Sequence, residues 1–419
     1  MSGMGAFRSL RSTNYRIWAA GAFVSNIGTW VQRTAQDWLV LTTLTHHSAS
    51  TVGIVMGLQF GPQLLFLPWT GLAADRLNQR KLLIATQGAM AVLALALGLL
   101  TVTGVVQLWQ VYLFAFLFGT AAAFDAPVRQ TFVAELVGDA DLANAVALNS
   151  TSFNAARMIG PAVSGLAIAT VGTGWAFLGN GLSFVAVLIS LLLLRAGDLH
   201  ANPRAARKRG GLTEGFRYVW ARRDLQAILV MLFLVGTFGL NFPIFISTMA
   251  VSVFHVDARG YGLLSSIMAI GTMSGALLNA HRDLPRFEAL AGGAAVFGIG
   301  CALAAIAPGY WLFAAALVVI GIAALTFTNT SNSLMQLSTE PAMRGRVMAL
   351  RIGVALGGTP IGAPIAGFVA DHFGPRWSLG VGAGSGVAAA VVGAYTLAKG
   401  IHRDALHHRR RPADQPLRP

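Results

Sequence analysis

Cysteine and acidic side chains are scarce in this chain. A single cysteine, Cys301, excludes an intramolecular disulfide and any cysteine-clustered metal site. Asp and Glu number 16 in 419 residues, and all charged residues together reach 11%, against about 25% in soluble domains. Apolar residues take their place, at 55% of the chain with a mean hydropathy of +0.63. No water-soluble fold could cover that much apolar surface, so the composition points to a membrane protein. The phosphate-cradling GxxxxGK[ST] loop and the HExxH zinc motif are both missing. Direct driving by ATP therefore has no support, no cofactor or resident metal is implied, and no catalytic cluster marks an enzyme. The first ten residues, MSGMGAFRSL, lack an apolar core before a small-residue cleavage site, so the expectation is that no signal peptide is removed.

The net charge of +14 would suggest nucleic acid if the basic residues formed a stripe on a polar domain. They fall instead between apolar runs, so the lipid bilayer is the expected partner and nucleic acid is not. About 20 apolar residues are needed to cross a bilayer core. Twelve such runs can be drawn. In the first half they are Ile17 to Leu44, Val52 to Ala73, Leu82 to Thr103, Trp109 to Phe124 (extending toward Pro127), Val146 to Val171 and Ala176 to Leu194. In the second they are Leu225 to Val253, Tyr261 to Ala280, Leu290 to Ala307, Trp311 to Met335, Val347 to Ala370 and Trp377 to Ala398.

Of the thirty Lys and Arg, Arg259 and Arg376 fall in loops on one side, and Arg33 and Arg157 fall inside spans. Nearly all of the rest lie on the other side, which the positive-inside rule makes the cytoplasm and which holds both termini. The long polar stretch after span six divides the chain: 1–195 and 224–399 each form a six-helix bundle, 196–223 is a basic cytoplasmic linker and 400–419 a basic cytoplasmic tail. In the tail, His407 and His408 sit among arginines that favour anionic headgroups over a metal. The halves repeat: Gly160/Gly362, Gly165/Gly367, Gly172/Gly374 and Trp175/Trp377 all share an offset of 202. A constant spacing over Gly and Trp matches points to duplication.

The stretch GLAADRLNQRK, with Gly71, Asp75, Arg76, Arg80 and Lys81, resembles the cytoplasmic loop signature of the major facilitator superfamily. Asn78 stands where that signature has a second Gly, as a residue that tolerates φ > 0. SNIGTWVQRTAQDWLVL (Ser25 to Leu41), PVRQTFVAELVGDADLANAVALNS (Pro127 to Ser150), FNAARMIGPAVSG (Phe153 to Gly165) and RGRVMALR (Arg344 to Arg351) resemble the branch with enterobactin exporters and drug and macrolide efflux proteins. The resemblance implies an all-α fold of twelve helices in two pseudo-symmetric bundles that expose a midplane site to each side in turn. It further implies a monomeric, multi-pass transporter of the bacterial inner membrane, exporting siderophores, macrolides or other amphipathic drugs against protons. Uptake or lipid movement on the same fold is the alternative; a receptor or membrane-embedded enzyme would need a sensing domain or catalytic cluster that the sequence does not carry.

Polar residues inside spans mark the candidate site, because a charge facing lipid costs about 2.5–3.5 kcal/mol. On span one, Asn26, Trp30, Arg33 and Asp37 share a helical face, with Gln36 beside it. Asp37 either carries the coupling proton, with Arg33 tuning it or meeting an anionic substrate, or the two form a static pair near the outer surface. On span five, Asn149, Phe153 and Arg157 form a second stripe; Arg157 needs a substrate carboxylate or catecholate, or a fixed partner such as Asp37. Gly160, Pro161 and Gly165 match a Gly-Pro motif that the resemblance ties to proton-coupled exporters, and they also allow a bend with close packing. Asp125 and Arg129, placed at the cytoplasmic end of span four, are assigned by the resemblance to a cytoplasmic gate with Gly71, Asp75, Arg76 and Arg80. Span four lacks the mid-membrane Arg that many drug:proton antiporters carry. The second half supplies Asn241, Asn329 and Asn332 as cavity candidates, with Phe242 as an aromatic wall, and Asp371 at the outer edge.

Overall fold

The computed structural model describes residues 7–200, 212–280, 285–340 and 343–400. Most of the central linker's basic residues, 201–211, and the tail from 401 lie outside the described residues. Helix accounts for nearly all of the rest, with no strand among the described residues. The first half runs α1 (Thr13–Trp38), α2 (Ala49–Leu65), α3 (Leu67–Arg76), α4 (Gln79–Val102), α5 (Leu108–Leu136), α6 (Asp139–Val171) and α7 (Thr173–Leu192). After it come α8 (Leu212–Trp220), α9 (Arg223–Leu234), α10 (Phe242–Thr248), α11 (Ala258–Ala280), α12 (Phe287–Ile306), α13 (Tyr310–Ser338), α14 (Arg344–Phe373) and α15 (Pro375–Ala398).

By length and apolarity nine described helices can cross a membrane, or ten if α2 and α3, bent by 58° at Phe66, form one broken span. The expected first and fifth spans fall on α1 and α6, long helices of 26 and 33 residues that lie outside that apolar set. They are the two helices that carry the polar stripes.

Local chemistry sets the helix starts. Ser12 caps α1 by accepting from Tyr15 N, and Asn78 caps α4 by accepting from Lys81 N at 3.0 Å. Asn78 has φ −67°, so its place in the loop signature depends on its side-chain oxygen and not on a left-handed turn. The helix of span four runs past the expected end near Pro127. α5 continues to Leu136, with Asp125 and Arg129 paired inside it. The expected span seven is found over Arg223–Val253, one of the nine, and it is locally irregular. A π-helical turn over Val235–Gly239 leads to a break before α10, where Asn241 donates to Thr237 O at 2.7 Å.

The chain packs as two compact units. The first comprises Met1–Arg207, Pro243–Ala269 and Ala363–Pro375; the second comprises Lys208–Phe242, Ile270–Gly362 and Arg376–Pro419. One end of the first unit is held by an apolar core of Tyr15, Trp18, Leu83, Phe132, Leu136 and Leu191, with the Tyr15 hydroxyl donating to Ala145 O.

The sequence repeat reappears within this unit as a repeat of contacts. Gly262 and Ala258, four residues apart on α11, lie against Pro161 and Gly165 on α6. Gly53 and Ala49, four apart on α2, lie against Ala363 and Gly367 on α14. A Cβ added to Gly165, Gly262, Gly53 or Gly367 would fall less than 3 Å from the facing backbone. Gly172 and Gly374 match too: with φ of +91° and +98°, each makes the turn into the following helix, a conformation that side chains rarely adopt. His47 and His255, in the connections leading to α2 and α11, also share a left-handed φ. Beside the Gly367 contact, Asp371 accepts from Ser48 Oγ, Ala49 N and Ser50 N at 3.0, 2.6 and 2.9 Å, tying the end of α14 to the start of α2.

In the second unit α12 packs on α13 and α15 through glycines, with Gly298 facing Gly386 and Gly300 facing Ile320; Cys301 is buried. Helix α8 rests Gly215 on Arg346, which pairs with Glu214 at 3.1 Å. At the corner into α9, Asp224 takes two bonds from Arg222, at 2.8 and 2.6 Å, which raise the arginine's pKa above its ordinary value.

Gly53→Leu and Gly262→Leu are each expected to lower the thermal unfolding midpoint, through an overpacking cost of about 1–3 kcal/mol. Gly61→Leu, where an added Cβ meets nothing within 4 Å, is the control that should unfold as the parent does. Equal midpoints for all three proteins would remove the close-approach argument.

Candidate functional site

Within the first unit lies a cavity of about 700 Å³, a size suited to a drug-sized ligand. Helix α1 lines it with Asn26, Thr29 and Arg33, successive members of one face; α6 adds Asn149, Phe153 and Asn154 from its own stripe. Phe60, Phe118 and Phe184 from α2, α5 and α7 supply apolar walls, and Gln63 and Gln130 add polar ends. The two stripes read from the sequence therefore do converge, through Asn26, Arg33, Asn149 and Phe153.

The charged centre is Asp125 with Arg129. Asp125 is only 4% exposed and lines the cavity from the interior of α5. Its Oδ1 accepts from Gln87 Nε2 at 2.7 Å and Thr86 Oγ1 at 3.0 Å. Its Oδ2 accepts from Arg129 Nε at 3.0 Å and Nη2 at 2.8 Å, and Arg129 Nη1 goes on to Asn26 Oδ1 at 3.0 Å. Each carboxylate oxygen thus has its own set of donors.

Arg33 is held differently. Its guanidinium lies 5.1 Å from the ring centres of both Trp30 and Phe60, while its Nε is buried without a hydrogen-bond partner. Arg157 lies 5.8 Å from the same Trp30 ring, so one indole serves two cations, and Trp30 also meets Phe153 edge-on at 5.9 Å. Cation–π contact of this kind contributes up to about 2 kcal/mol where water is excluded.

Several expected residues fall behind the cavity surface. Trp30, Gln36, Asp37 and Arg157 are not among its lining; Asp37, 8% exposed, is the penultimate residue of α1, one turn beyond Arg33. No hydrogen bond or ion pair joins Arg33 to Asp37 among the described residues, and neighbouring Trp38 stacks on Tyr261 at 5.7 Å. Pro161 lies inside α6, and Gly160 faces Trp30 Cβ. In the second unit Asn241 is buried with an unpartnered Oδ1, Phe242 meets Phe297 edge-on, Asn332 is half-buried and Asn329 exposed. Arg351 donates to Thr328 O and Ser331 Oγ.

The residues assigned to the cytoplasmic gate separate into two places. Arg80 donates to Leu191 O at 2.9 Å and Leu192 O at 3.2 Å, closing the end of α7, where a cation also suits the helix dipole. Gly71 and Arg76 lie on α3, and the Asp75 side chain is outside the described residues. Asp125 and Arg129 line the cavity, and among the described residues neither Arg76 nor Arg80 is a hydrogen-bond partner of theirs. Thr86 and Gln87 were not singled out from the sequence; adjacent polar residues within an apolar run were the available signal.

Comparison with known proteins gives a consistent picture. The family model described as transmembrane secretion effector matches residues 4–416. The staphyloferrin A transporter of Staphylococcus aureus is 24% identical over 85% of this chain and 89% of its own length. The multidrug efflux pump Tap of Mycolicibacterium fortuitum is 26% identical over 84% and 88%, and the enterobactin exporter EntS of Shigella flexneri 25% identical over 77% of each. Among solved structures, an inward-facing bacterial homologue of the lysosomal transporter Spinster shares the fold. Its TM-score is 0.72 at 17% identity, covering 96% of this chain and 99% of that one.

Replacing Trp30 by Leu should leave two guanidiniums without their ring and lower the thermal unfolding midpoint in detergent, at a cost of about 2 kcal/mol. An unchanged midpoint would show that the indole carries none of this load.

Proposed function

The chain belongs to the transmembrane secretion effector family of the major facilitator superfamily, and on that footing we propose that it exports amphipathic small molecules across the bacterial inner membrane. The observation that carries the proposal is the cavity of about 700 Å³, in which arginine, asparagine and glutamine side chains face phenylalanines inside a membrane bundle. Siderophore and drug relatives support export as the direction, and siderophores, macrolides or other drugs as the cargo. The protein works as a monomer with both termini in the cytoplasm, and its two bundles give the cavity alternating access to the two sides.

Protons supply the drive, and Asp37 carries them. It is a buried acid one helical turn from Arg33, and Arg33 lines the cavity, so the charge state of the cargo site and that of the acid are felt by each other. The Gly71, Asp75, Arg76 and Arg80 loop closes the cytoplasmic side, and Asn329 and Asn332 provide further contacts for cargo.

Growth of an exporter-deficient host across a compound panel, followed by flux in vesicles for any compound that is rescued, tests both parts. Rescue should appear for at least one amphipathic compound and should fail with Arg33→Gln. Asp37→Asn should abolish cargo-dependent proton movement and lower concentrative export about tenfold or more. Full export with Asp37→Asn would remove the coupling assignment, and no rescue by any compound would remove the exporter reading.

A further inference from the structure

We propose that the Asp125–Arg129 pair is an exchange site: an anionic group of the cargo takes Arg129 away from Asp125. The proposal rests on the exporter reading and names the class of cargo that the same cavity accepts. That class is organic anions, carrying a carboxylate, sulfonate or ionised phenol, with an aromatic or apolar body.

Three observations carry it. Both members of the pair line the cavity, so a molecule that enters meets them. The bonding of Asp125 is divided by oxygen: Arg129 holds Oδ2, whereas Gln87 and Thr86 hold Oδ1. When the arginine departs, the carboxylate keeps two hydrogen bonds and is not left bare in a site shielded from water, which lowers the cost of separation.

The third observation is the charge balance. Arg33 also lines the cavity with a buried, unpartnered Nε; its nearest acid, Asp37, lies one turn away behind the lining and makes no ion pair with it among the described residues, so at the cavity wall two arginines face the single carboxylate of Asp125. Arginine cannot lose its proton to relieve this excess, and its planar fork suits a carboxylate or sulfonate. A neutral ligand would leave the excess in place. Phe118, Phe153 and Phe184 on the surrounding walls suit a flat apolar body attached to that group.

The test uses two fluorescent probes with a common aromatic frame: 1-anilinonaphthalene-8-sulfonate, an anion, and N-phenyl-1-naphthylamine, its neutral counterpart. Saturable binding above the lipid background is measured on the full chain in nanodiscs of zwitterionic lipid. The parent protein should favour the sulfonate, and Arg129→Gln should remove that preference while the neutral probe still binds. Asp125→Asn, which removes the competing carboxylate, should tighten the sulfonate about tenfold and leave the neutral probe unchanged. Gln87→Leu, which frees Asp125 to hold Arg129 more closely, should weaken the sulfonate several-fold. Should Asp125→Asn leave sulfonate binding unchanged, or loosen both probes alike, the pair is a static brace and the proposal is wrong although the cavity binds cargo. If neither probe saturates on the parent protein, the cargo-cavity reading fails together with it.

Discussion

A guanidinium keeps its proton under any condition a membrane offers, so each arginine placed inside the bundle dictates what must surround it. This protein meets that demand in three ways. Arg129 has a carboxylate and an amide oxygen, Arg33 and Arg157 share the face of Trp30, and Arg351 reaches a backbone carbonyl and a serine hydroxyl. Only the first of these neutralises charge. Aromatic faces and carbonyls make a buried cation tolerable without cancelling it, so the cavity wall carries two arginines against one carboxylate.

That imbalance links structure to transport. A site whose charges were fully paired would bind an anion only by breaking bonds of equal strength, whereas a fully unpaired site would hold it too firmly to release. The cavity of this secondary transporter lies between these limits, with one arginine already engaged and another only stacked. Asparagines and glutamines around them accept or donate without adding charge, so the polar wall can adjust to cargoes of different outline.

Much of this was legible in the sequence, for a physical reason: lipid allows few polar residues in a span, so those that occur stand out and their helical spacing can be read. Asn26 and Arg33 on one helix, and Asn149 and Phe153 on another, were found in this way and line one cavity. The interior of α5 was harder. Asp125 and Arg129 looked like the charged end of an apolar run because hydropathy registers charge and cannot register a partner. With the ion pair formed, the helix continues for another two turns to Leu136. Thr86 and Gln87 passed unnoticed because a single hydroxyl and an amide barely disturb an apolar run. Asn78 was assigned to the right place for the wrong reason: its side chain caps a helix, and only the φ angle distinguishes that from a tight turn.

The glycine contacts come as a reciprocal pair inside the first unit. Helix α6 meets α11 at Pro161 and Gly165, and α14 meets α2 at Ala363 and Gly367, each through the same pair of small steps. Neither seam has room for a side chain, so a branched residue arriving at any of these glycines would act as a wedge. The seams differ in their fastening: Asp371 on α14 grips the start of α2, whereas the place matching it by the offset of 202, Ala169 on α6, offers only a methyl group.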